Sequence, residues 1–130
     1  MKILKDSVVS RKITTTSAVV YLAHPISGNV EANLVDARKW IREIYEQVPY
    51  ITVLAHWIVD CEVLDESNPR HRGMGLAHDF NILERCDELW ILGEHVSAGM
   101  RAEITFAKAL GIPIRKIATR AEIANMLRVE

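Results

Sequence analysis

The sequence predicts an α/β domain of three layers, in which a parallel sheet of four to five strands lies between helices on its two faces. Short apolar segments alternate four times with segments of helical periodicity, the signature of strand and helix units laid side by side. The first of these segments, Ala18 to Ala23, is apolar throughout, as suits a strand covered on both faces. Polar and glycine-bearing stretches also fall where strands end: His24 to Asn29, His56 with Trp57, and Ser97 with Gly99. Sheets of this kind bind ligands at the carboxyl ends of their strands, where strand order reverses.

Residues 1–17 read as a lead-in or an edge strand, and residues 18–130 as one domain. After the first strand, Asn29 is placed to cap a helix in which Val30, Leu34, Ala37, Ile41 and Ile44 recur at helical spacing. Pro49 ends that helix, and Ile51 to Ala55 forms a second strand. From His56 to Gly73 the periodicity dissolves, which predicts a long connection acting as a lid or binding loop. A helix from Leu76 to Cys86, the strand Glu88 to Leu92, a glycine-broken loop and a helix ending at Gly111 come next. Pro113 to Ile117 is the fourth strand, and Thr119 with Glu122 resembles a capping box opening a last helix to about Arg128.

The chain has 130 residues, enough to bury a core without staples. Its 16 basic and 17 acidic side chains give a net charge of −1, with no Lys/Arg block to attract nucleic acid or an anionic membrane. Small ligands are the expected partners. Cys61 and Cys86 lack CxxC spacing, no apolar run reaches membrane-span length, and Met1 to Ser17 is too polar for a signal peptide. A cytoplasmic location is the expectation.

Two acids face the wrong way. On the helix after Gly99, Met100, Phe106, Ala107 and Leu110 share an arc with Glu103 in its middle, while Arg101, Thr105 and Lys108 lie opposite. On the helix from Leu76, the residues Leu76, Ile82, Leu83 and Cys86 surround Asp79, with Asn81, Glu84 and Arg85 facing away. A buried unpaired carboxylate is costly. Either acid alone is most simply a satisfied structural group, but the pair points to a site.

A glycine loop entering a helix presents free N–H groups, so Ser97, Ala98, Gly99 and Met100 could hold a phosphate or carboxylate. Ser27 and Gly28 offer a second such nest. Arg70, His71 and Arg72 could close over an anion, although each taken singly reads as a solvated loop tip. Two acids beside an anion nest suit glycosyl transfer. One ionised acid attacks the anomeric carbon, the other helps the leaving group depart, and water or a second acceptor completes the reaction.

The segments Tyr21-Leu22-Ala23-His24-Pro25-Ile26-Ser27-Gly28, Asp79 eight residues before Asp87, and Ser97-x-Gly99-x-x-x-Glu103 resemble the nucleoside 2-deoxyribosyltransferase superfamily. The resemblance runs from about Val19 to Ile117 and is nearest to the deoxynucleoside 5′-monophosphate N-glycosidases and short bacterial and phage relatives. It implies a flavodoxin-like or Rossmann-like sheet, a homodimer or larger homo-oligomer, a nucleotide or nucleoside substrate, and neither cofactor nor metal. By that resemblance Glu103 is the nucleophile at C1′, Asp79 engages the base or donates its proton, and Tyr21 orients Glu103. Ser97 and the Gly99 amide become phosphate ligands, and Ser97, where the transferases carry an acid, favours a nucleotide over a free nucleoside.

Pro25 stands where the glycosidase branch tends to have a hydroxyl residue, which leaves one phosphate contact missing or moved to Ser27. His24, His56 and Trp57 join the candidate binding residues without a role carried over: Trp57 could stack on a base and His56 could bond a ligand. A helix N-terminus and a tyrosine hydrogen bond would keep Glu103 ionised, while an apolar arc would raise Asp79 and suit it to proton donation. The main alternative is a nucleotide-binding or sensing module that uses the same pocket without turnover. A metal-dependent hydrolase built from His24, His56, His71, His78 and Asp79 is disfavoured, since no HxxxH or HxH spacing occurs. A scaffold role would leave both inward acids unexplained.

Overall fold

The computed structural model describes residues 18–49 and 51–125. Four strands, β1 (Val19–Ala23), β2 (Thr52–Leu54), β3 (Glu88–Leu92) and β4 (Ile114–Ile117), form one wholly parallel sheet in the order β2-β1-β3-β4. Central β1 pairs with β2 through Tyr21 and Leu54, and with β3 through Tyr21 and Leu89. The chain winds outward from β1 to β2, then crosses to β3 on the other side. Strand order therefore reverses at β1 and β3, and a crevice opens beyond their carboxyl ends. The possible edge strand within residues 1–17 and the end of the last helix lie outside the described residues.

Alternation along the strands divides the core. Val20, Leu22, Trp90 and Leu92 point to one face with Trp40, Ile44, Ile117 and Ile123; Tyr21, Ala23, Leu89 and Ile91 point to the other with Leu83, Met100, Ala107 and Ile114. The first face is covered by α1 (Val30–Gln47) and α5 (Ala121–Asn125). Helices α2 (Trp57–Val63), α3 (Pro69–Leu83) and α4 (Ala98–Leu110) contribute to the second. Asn29 caps α1 by accepting from the Ala32 amide, and Glu122 accepts from the Thr119 amide at 2.9 Å where α5 opens. Gly111, with φ +73°, closes α4 in the left-handed conformation that favours glycine.

The expected loop from His56 to Gly73 is mostly helix. Asn68 accepts from the amides of Arg70 and His71, and Pro69 occupies the first turn, so α3 begins seven residues before Leu76. Gly73 and Gly75 within α3 weaken its helical signal in the sequence, whereas the Asn-Pro start is a recognisable one. Cys86 lies beyond α3, and Leu76 and Leu110, expected on buried arcs, are 43 % and 49 % exposed.

Candidate active site

Tyr21 lies at the middle of β1 on the face covered by α3 and α4, and is fully buried. Its hydroxyl donates to Glu103 Oε2. Glu103, on the second turn of α4, is 7 % exposed, and Asp79 is half-buried on α3 with Oδ1 fully buried and without a hydrogen-bond partner among the described residues. Phe80 and Phe106 stack with ring centroids 4.3 Å apart and planes 10° apart, which ties α3 to α4 beside the two acids.

Asp79 and Glu103 both line a cavity of about 660 Å³ at the carboxyl end of the sheet. That volume suits a nucleoside-sized ligand. His24, Ser27, Trp57, Ser97 and Gly99 share its wall. Tyr21 stands behind Glu103 rather than in the wall. Gly28, in a left-handed turn (φ +98°), and His56 fall outside that wall. The wall also holds groups that sequence reasoning passed over, Asp60, Cys61, Asp65 and Glu66 among them, because they fall in the stretch read as irregular.

Ser97 caps α4: its Oγ accepts from the Met100 amide at 3.3 Å, and its own amide meets Met100 Sδ at 3.4 Å. The hydroxyl keeps its proton to donate, and the first-turn N–H groups have no intrahelical acceptor, so an anion can be bound here. At the other nest, Ser27 Oγ donates to Glu66 Oε1 at 3.4 Å. A phosphate placed there must displace that carboxylate. Arg72 and His71 reach the wall, but His71 Nδ1 is occupied by the Asp65 amide at 2.8 Å.

Two of the aromatic candidates are built into the frame. β2 stops covering β1 at Leu54, and the Trp57 indole N–H takes over the Leu22 carbonyl at 2.9 Å. His24 stacks on Trp57 with planes 11° apart, while its nitrogens meet the Pro25 carbonyl at 2.7 Å and Asp36 Oδ2 at 2.8 Å. Asp36 also accepts from Arg120 at 2.5 Å. Burial alone would raise the Asp36 carboxyl, but bonds and charge from His24 and Arg120 outweigh it and hold it below the usual range. His24 thus offers a ligand its ring rather than its nitrogens.

The ionisation expected of Glu103 is corrected by its position. Helix dipoles act within the first turn, and Glu103 lies one turn further on. Burial pushes its carboxyl from 4.5 to about 8, the Tyr21 hydrogen bond opposes the rise, and the Asp79 charge adds to it. Burial likewise raises Asp79 to about 6, against the pull of the Tyr21 hydroxyl. Desolvation and both acids push the Tyr21 phenol far above its ordinary range, so it remains a donor. The Cys61 thiol is raised by burial and by Glu66 and Asp60, which leaves it a poor nucleophile.

A family model described as a domain of unknown function (DUF7768) matches residues 18–117. No curated protein shows significant sequence similarity to the chain. Among solved structures, a 2-deoxyribosyltransferase from the psychrotolerant bacterium Bacillus psychrosaccharolyticus superposes with a TM-score of 0.59 at 15% identity, over 83% of this chain and 91% of that one. At that identity the likeness is one of fold: the parallel sheet and its helices are those of a 2-deoxyribosyltransferase-like structure. Among the described residues, no helix is long and apolar enough to cross a membrane.

Proposed function

The chain belongs to the DUF7768 family, and we propose that it breaks the bond between base and sugar in a nucleoside or a (deoxy)nucleoside 5′-monophosphate. The observation that carries this reading is the buried Tyr21–Glu103 hydrogen bond set beside Asp79 on one nucleoside-sized cavity. The motif resemblance and the shared fold with a 2-deoxyribosyltransferase support it.

In this mechanism ionised Glu103 attacks C1′, a carbon–oxygen bond forms as the carbon–nitrogen bond breaks, and the electron pair leaves with the base. Asp79, raised to about 6 and so largely ionised at pH 7, holds the edge of the base through its carboxylate or, in its protonated fraction, gives the departing base its proton. Water, or a second base, then attacks C1′ and releases Glu103. The α4 N-terminus with Ser97 and Gly99 holds the anionic or hydroxyl end of the substrate, and the Trp57–His24 stack forms an aromatic wall for its flat part. Tyr21 orients the nucleophile and supplies the one hydrogen bond that favours its charged form.

Incubation with a panel of nucleosides and 5′-monophosphates, followed by chromatography for free base, tests the reading. Base release by the native chain and its loss in Glu103→Gln and Asp79→Asn are expected. Release undiminished in both variants overturns the residue roles. Tight binding of a panel member without release favours the sensing module.

A further inference from the structure

The histidines His56 and His78 and the carboxylate of Asp60 meet at one point beside the cavity. His56 is the N-cap of α2 and Asp60 lies one turn on, in the helix, and His78 reaches them from α3. His56 Nε2 lies 3.4 Å from Asp60 Oδ1, and His78 Nδ1 lies 3.0 Å from Asp60 Oδ2. One ligand atom from each of the three residues falls within 4.8 Å of the others. Bonds of about 2.0–2.1 Å to a tetrahedral ion set ligand atoms roughly 3.4 Å apart; the two imidazoles now approach different oxygens of the one carboxylate, and the 4.8 Å span of the three ligand atoms must contract for a shared ion.

We propose that His56, Asp60 and His78 form a binding site for a divalent transition-metal ion. Two imidazoles with one carboxylate select a borderline ion of the zinc, cobalt or nickel type over magnesium or calcium, which prefer all-oxygen shells. The carboxylate is largely shielded, with 14% of its side chain exposed, while the imidazoles, at 41% and 38%, leave a way in. The two imidazole rings lie edge to face at 76° with centroids 5.7 Å apart, so both stand beside the one carboxylate. Three protein ligands leave a four-coordinate ion one position for water or an anionic ligand group. Asp60 is itself part of the cavity wall, so the ion sits at the edge of the cavity and clamps α2 to α3. The site does not depend on the glycosidic reading and is tested without any substrate.

The test begins with the purified full chain stripped by a chelator and dialysed into metal-free buffer. Zinc is titrated by calorimetry and cobalt by visible absorption. The expected result is one ion per chain with a Kd of about 1 μM or tighter, together with the intense absorption of four-coordinate cobalt. His56→Ala, Asp60→Asn and His78→Ala each weaken binding by more than about tenfold, while His95→Ala, at an exposed loop position, leaves it unchanged. Zinc also perturbs the NMR signals of two histidines among the five, which reads the site in the native chain even where a variant folds poorly. Binding weaker than about 100 μM, perturbation of all five histidines alike, or equal loss in His95→Ala overturns the proposal.

Discussion

Replacing Glu103 by Gln separates what the acid does for chemistry from what it costs the fold. The carboxyl rises from 4.5 to about 8 through burial. Between those two pH values the native chain holds a proton at Glu103 that the unfolded chain has already released. Stability contributed by the protonated form is therefore complete below pH 4.5 and lost as pH rises through about 8. A full proton difference gives about 1.4 kcal/mol per pH unit, so the window amounts to on the order of 5 kcal/mol, a large fraction of the ~5–15 kcal/mol that holds a typical domain. Glutamine has nearly the same shape, still accepts from Tyr21, and does not titrate. Urea unfolding of the native chain and Glu103→Gln at pH 5, 7 and 9 measures the effect. Groups that titrate alike in both proteins cancel in the difference. The variant gains stability relative to the native chain as pH rises, most steeply between pH 5 and 8, and is the more stable of the two at pH 9. A stability difference that stays flat across that range, or runs the other way, refutes the claim that Glu103 is buried against a raised pKa.

Tyr21→Phe removes the donor that favours ionised Glu103, so the limb of the pH–rate profile set by Glu103 ionisation moves to higher pH and kcat/KM at pH 7 falls about 10- to 100-fold. A pH–rate profile superimposable on that of the native chain would refute the Tyr21 role. Ser97→Ala loses the cap of α4 and lowers stability by about 0.5–2 kcal/mol in urea unfolding, with no change reading against the capping geometry. Trp57→Phe strands the Leu22 carbonyl at the end of the β1–β2 ladder and costs about 1–3 kcal/mol by the same measurement; a neutral result would mean that the indole bond holds nothing in place.

The sequence by itself determined the parallel α/β architecture and the inward turn of two acids, because both are properties of periodicity along the chain. Ala18 to Ala23 can be apolar at every position only if both faces of its strand are covered, and β1 lies at the centre of the sheet. Glu103 falls among Met100, Phe106 and Ala107 by helical spacing alone, and the folded chain buries it. Where local signals were weak the reading failed. Gly73 and Gly75 mask α3, although Asn68-Pro69 announces it, so the His56, Asp60 and His78 cluster could not be seen. Only the tertiary structure decided which groups meet. Tyr21 and Glu103 are 82 residues apart and become neighbours because strand order reverses at β1 and β3. The ionisation of Glu103 was decided there too, since desolvation depends on everything packed around a carboxylate and outweighs the single hydrogen bond that the sequence suggested.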